Sequence, residues 1–154
     1  MMRIGSMGGI PIETSCHAIL DFSGDHIEPG EILNLVSVRP AFAIAKGESL
    51  SAKRPELSQR ARTGYCGFST NGHVYTEDIN DHIEFLLDEV ENNLTKIERI
   101  IREKNVSWKI TCFFSESHIN LCANLRESIV DRAKNIGINL VRDKGSVTVI
   151  WDGI

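Results

Sequence analysis

The sequence predicts an α+β domain: a mostly antiparallel sheet with helices on one face, made of two β-α-β-β halves joined by a long helix. Three observations carry this reading. Apolar stretches with strand and helix periods succeed one another in the order β-α-β-β, helix, β-α-β-β. A motif then occurs twice: Phe22-Ser23, His26-Ile27 and Leu33 have counterparts in Phe114-Ser115, His118-Ile119 and Leu125. Downstream of each copy lies a second match, Val38-Arg39 with Lys46-Gly47 and Ser49, then Val141-Arg142 with Lys144-Gly145 and Ser146. The first six elements, β-α-β-β-α-β, have the order of a ferredoxin-like unit.

Each element has its own local cause. Thr14 to Phe22 alternates as a strand, and Ser23-Gly24-Asp25 breaks it. Pro29 suits the first turn of a helix, where its missing N–H is not needed. Ile32, Leu33 and Val36 give that helix one apolar face, and Pro40 ends it. Ala41 to Ala45 reads as a short buried strand closed by Lys46-Gly47, residues 48–61 as a polar, basic loop, and Thr63 to Ser69 as a strand. Thr70-Asn71-Gly72 is a turn signal.

From Ile79 to Ile101 apolar residues recur three and four apart, which predicts one helix over residues 77–104. Acidic residues crowd its first half, while Lys96, Arg99, Arg102 and Lys104 crowd its second, an order that complements the helix dipole. Val106 to Phe114 is the next strand, with Trp108, Ile110 and Cys112 on one face. Leu121 to Asn135 reads as a helix stopped at Gly137. Ile138 to Val141 and Val147 to Trp151 are the last strands, turned at Lys144-Gly145.

A chain of 154 residues is one domain, able to bury roughly 68–70% of its unfolded surface without staples. Residues 1–11 read as a disordered N-terminal segment or a cloning scar, and 12–154 as the single domain. No apolar run reaches the roughly 18 residues that a membrane helix needs. The N-terminus also lacks a signal-peptide core, so a cytoplasmic location is expected. Cys16, Cys66, Cys112 and Cys122 are scattered with no Cys-x-x-Cys, as buried free thiols would be.

Several chemistries are disfavoured. Cys16 and His17 are adjacent in a strand and point to opposite faces, so they cannot pair as nucleophile and base. No phosphate-binding glycine loop and no metal-ligand spacing occur, and neither a cofactor nor a metal is expected. A net charge of −4 argues against nucleic acid as the main partner. Charge is nevertheless polarised: Glu77, Asp78, Asp81, Glu84, Asp88, Glu89 and Glu91 occur with no Lys or Arg between them. That stretch reads as a docking surface for a basic partner, because a single-sign field speeds association. The alternative site is a cleft between the two halves, holding a small ligand among His26, His118, Lys46 and Lys144.

In their order, several short motifs resemble a known family. They are Phe22 to Asp25, Pro29 to Ile32, Arg39-Pro40, Lys46-Gly47, Gly67 to Ser69, Ile79 to Leu87 and Asn135 to Val141. Together they resemble the bacterial family catalogued as domain of unknown function 4279, over about residues 12–142. The family pattern has a Trp before the Ser of the third strand, where this chain has Phe68. The resemblance implies a small cytoplasmic bacterial protein with members encoded among toxin–immunity loci, and supplies no catalytic residues. An immunity protein needs no active site and covers that of its toxin. The expected function is therefore a non-enzymatic immunity protein that binds a cognate toxin catalytic domain through the acidic helix, with the 48–61 loop as a second contact. Neither nucleic acid nor membrane is an expected partner.

Overall fold

The computed structural model describes residues 16–50, 59–114, 125–144 and 147–150, with backbone alone for 143, 144 and 147–150. The first eleven residues, and the boundary at residue 12, lie outside the described residues. The strands are β1 (Cys16–Gly24), β2 (Pro40–Ile44), β3 (Gly64–Ser69), β4 (Ser107–Phe114), β5 (Asn139–Lys144) and β6 (Val147–Ile150). The helices are α1 (Pro29–Leu33), α2 (Ile79–Glu91), α3 (Leu94–Lys104) and α4 (Glu127–Ile136). This is an α+β fold.

The six strands form one sheet in the order β2-β3-β1-β4-β5-β6. Every ladder is antiparallel except β4–β5, which is parallel, so the sheet is mixed. The parallel pair follows from α4, which lies between β4 and β5 in the chain and returns it to the same end of the sheet. Although β-α-β-β order recurs, the two halves are placed differently. In the first, β3 lies between β1 and β2; in the second, β5 pairs directly with β4 and β6 lies outside it.

Alternation along the strands separates the two faces. Cys16, Ala18, Leu20 and Phe22 of β1, with Cys66, Phe68, Ile110 and Cys112, point to one side and are all but inaccessible. Phe68 meets Phe22 edge-on with ring centroids 6.2 Å apart. These residues form one cluster with Ile32 of α1, Ile83 and Leu86 of α2, Ile97 of α3 and Ile129 of α4. Full burial of each such side chain is worth about 1.5–3 kcal/mol, so this cluster carries the fold.

The single helix predicted over 77–104 is two. Its apolar period continues unbroken, but Asn92 and Asn93 interrupt it, and Asn93 has a non-helical backbone (φ −136°, ψ 34°). The Asn93 side chain donates to the Leu35 carbonyl at 2.9 Å, a contact an unbroken helix would forgo. Asparagine is a weak helix former that trades helix hydrogen bonds for local ones. At the far end, Lys104 of α3 bonds Glu31 of α1, which fixes the second helix over the first.

Other boundaries moved for equally local reasons. The first helix ends at Leu33 rather than near Val36, with the Leu35 and Val36 amides closing on the Ile32 carbonyl. The last described helix begins at Glu127, where the Arg126 amide donates to Asn80 Oδ1 at 2.7 Å and Arg126 is extended; residues 121–124 of the predicted helix lie outside the described residues. Gly137 stops that helix with φ 90°, a left-handed conformation that suits glycine. The 48–61 stretch is not wholly a loop, since its stem pairs through Gly47 and Leu50 with Ala61 and Gln59. Residues 51–58 of that stretch, including Lys53 and Arg54, lie outside the described residues.

Candidate functional site

The acidic stretch sits on and just before α2. Asp78 caps the helix, accepting from the Asn80 amide at 2.9 Å, and Glu77 immediately precedes it. Asp81 accepts from Thr76 Oγ1 at 2.7 Å and faces Arg126 at 3.8 Å. Arg132 of α4 reaches Glu84 at 3.9 Å, Asp88 at 2.8 Å and also Glu91, and the contacts with Asp88 and then Glu91 hold its guanidinium above its ordinary pKa. Glu89 accepts from the Ser37 amide at 3.1 Å and from its hydroxyl. The arginines that the acidic run lacks in sequence are thus supplied by the neighbouring helix. The carboxylates still open to water, with Asp88 62% and Glu84 49% exposed, so a partner can reach them.

The alternative ligand set is only partly described. His118 lies outside the described residues, and of Lys144 only the backbone is described. Lys46 pairs with Asp25 at 3.2 Å across two exposed side chains. That lysine holds the Asp25 carboxyl below its ordinary range, and the adjacent His26 adds weakly in the same direction. Lys46 is therefore engaged locally at the end of β1. Among the described residues no three His, Cys, Asp or Glu side chains are grouped to hold a metal ion.

Buried thiols behave as core. Cys16, Cys66 and Cys112 are buried and form no disulfide, and burial pushes the Cys66 thiol up to about 11 and Cys112 further up. Neither is a nucleophile at neutral pH. Cys122 lies outside the described residues. The buried His82 is held in a chain of hydrogen bonds. Thr70 Oγ1 accepts from the Ala18 amide at 2.9 Å, so its own proton points to His82 Nδ1, 2.6 Å away. His82 Nε2 then donates to the Thr76 carbonyl at 2.8 Å. Every polar atom of this chain is satisfied by a neutral ring, and burial lowers the histidine's pKa.

The feature that sequence reading missed lies on the other face of the sheet. Asp21, in the middle of β1, is 6% exposed, yet it has no hydrogen-bonded side-chain partner among the described residues. Burial pushes its carboxyl up to about 6, against the opposing pull of Lys109, its cross-strand neighbour on β4. Opposite it on β3 stands Gly67, and the Tyr65 ring lies across that glycine: a Cβ there would come 3.1 Å from Tyr65 Oη. Burial and then the Asp21 charge raise the Tyr65 phenol to about 12. Asp21 and Tyr65 open on a cavity of about 580 Å³ that also takes in Lys109, Phe113, Asn139 and Val141. The signal was legible in retrospect: Asp21 is a charged residue inside an apolar strand, out of phase with Leu20 and Phe22.

Fold and site together define a mixed-sheet α+β domain with an acidic helix layer on one side and, on the other, a cavity that holds Asp21 and Lys109 among apolar walls. Residues 14–144 match the model of a family described as a domain of unknown function (DUF4279), and the chain belongs to that family. No curated protein and no solved structure matches the chain. No helix among the described residues is long and apolar enough to cross a membrane.

Proposed function

We propose that this chain is a non-enzymatic, cytoplasmic immunity protein that neutralises a cognate bacterial toxin by covering the active site of the toxin's catalytic domain. The observation that carries the reading is the acidic surface of α2, whose carboxylates are pre-ordered by Arg126 and Arg132 while remaining open to solvent. Pre-ordering lowers the entropy lost when a basic surface docks, and the shared negative field speeds encounter. The paired stem at 47–50 and 59–61 is the second contact in this reading. The scaffold reads as a ferredoxin-like unit, β2-β3-β1-β4, extended by β5 and β6, an arrangement supported by the strand order and the antiparallel ladders of those four strands. The recurrent β-α-β-β order is read as a trace of internal duplication.

The test is protection of cells that express the toxin domain encoded beside this chain. Because Arg132 bridges the acidic residues, reversal to Lys would add repulsion inside the molecule, so neutral replacements are cleaner. Asp81→Asn, Glu84→Gln and Asp88→Asn together are expected to weaken toxin binding tenfold or more with an unchanged circular dichroism spectrum. Undiminished protection by that triple variant sinks the docking surface. A second reading, a small-ligand-binding domain, is favoured by the buried Asp21 carboxyl at the open-face cavity.

A further inference from the structure

We infer that the cavity on the open face of the sheet is a binding site for a free α-amino acid, with Asp21 receiving its ammonium group and Lys109 its carboxylate. The inference rests on the ligand-binding reading and is independent of the docking surface, which lies on the helix side. Four observations support it. A cavity of about 580 Å³ is of the size that small-molecule sites occupy, roughly 300–1,000 Å³. Asp21 is buried without a hydrogen-bonded side-chain partner among the described residues, and such a carboxyl is costly unless something completes it. Lys109 stands directly across the ladder, yet no ion pair within 4 Å joins the two, which leaves their charges facing a shared opening. Finally, Tyr65, Phe113 and Val141 give the same cavity apolar walls, while Asn139, paired with Lys109 across β4–β5, adds an amide beside the cation.

This set of groups selects among ligand classes. A simple anion would meet the Asp21 charge, and a simple cation would meet Lys109. A zwitterion satisfies both at once, with its side chain on the apolar walls. An ammonium group at Asp21 stabilises the carboxylate, so binding near pH 6 releases protons from the protein.

The experiment is calorimetric titration of the full chain at pH 6 with each of the twenty free amino acids. The best ligand's decarboxylated amine and deaminated acid then serve as controls. At least one amino acid is expected to bind at millimolar concentration or better, and each control is expected to bind at least tenfold more weakly. Asp21→Asn and Lys109→Met are each expected to reduce affinity at least tenfold, and the apparent enthalpy is expected to change with the buffer's ionisation enthalpy. Binding that survives both substitutions overturns the site. An amine that binds as well as its parent amino acid overturns the zwitterion while sparing the ligand-binding reading. Absence of heat and of backbone amide shifts around Asp21 with all twenty amino acids and both classes of control overturns both.

Discussion

Asp21→Asn is expected to stabilise the protein at neutral pH, although it alters a buried residue in the central strand β1. The Asp21 carboxyl titrates at about 6 in the fold against an ordinary 3.8, a difference of roughly two units. At about 1.36 kcal/mol per unit, ionised Asp21 destabilises the fold by about 3 kcal/mol. That figure is an upper one, because water in the cavity polarises the site; the pull of Lys109 is already contained in it. The sign follows from linkage: a folded pKa above the unfolded one means a contribution present below pH 3.8 and lost as pH rises through 6. Three titratable groups meet here, Asp21 on β1, Lys109 on β4 and Tyr65 on β3, and the Tyr65 phenol, raised to about 12, stays protonated across this range. Asparagine keeps the shape and removes the charge. Its gain should therefore be at most about 0.6 kcal/mol at pH 4 and rise to no more than about 3 kcal/mol by pH 8. For a chain of this length that is roughly 6–12 °C in Tm. Urea unfolding of both proteins at half-unit pH steps measures it. A variant that is less stable at pH 8, or a difference that does not change with pH, refutes the account of Asp21 as a buried, unsatisfied carboxylate.

Four further outcomes test other parts of the structure. His82→Phe should cost about 2–4 kcal/mol, because Thr70 and Thr76 lose their ring partner in a buried setting, and denaturant unfolding will show it. In the wild type the neutral His82 ring gives stability that is full above pH 6.5 and lost as pH falls below it, a slope that Asp21→Asn should unmask and the His82 variant should lack. Gly67→Ala should displace the Tyr65 ring from its seat over β3, so that spectrophotometric titration finds the phenol moved down from about 12 towards 10. Arg132→Ala should cost about 1 kcal/mol, less in high salt, since three part-exposed pairs to α2 vanish together.

Local patterns carried much of this molecule because their causes are local. Strand alternation in β1 and β4, Pro29 at the start of α1 and Gly137 at the end of α4 depend on neighbours within a few residues. The paired asparagines that split the long helix were visible too. Periodicity alone could not register them, since the apolar stripe runs across the break. What decides there is Leu35, distant in the chain, whose carbonyl accepts from Asn93. The order of the sheet belongs to the same class. A repeated β-α-β-β order predicts two like halves, but whether a strand inserts beside its predecessor or pairs with it directly depends on which edge is already occupied.

The site divides along the same line. Sequence alone determined the family, the α+β class and the acidic run, all of which are properties of composition and near-neighbour spacing. Only the tertiary structure decided that Arg126 and Arg132 stand against that run, because α2 and α4 meet through packing and not through proximity in the chain. Only it put Asp21, Lys109 and Tyr65 from three strands around one cavity. A carboxylate is ordinary in a sequence; its free energy is set by what excludes water from it, and that is a property of the folded sheet.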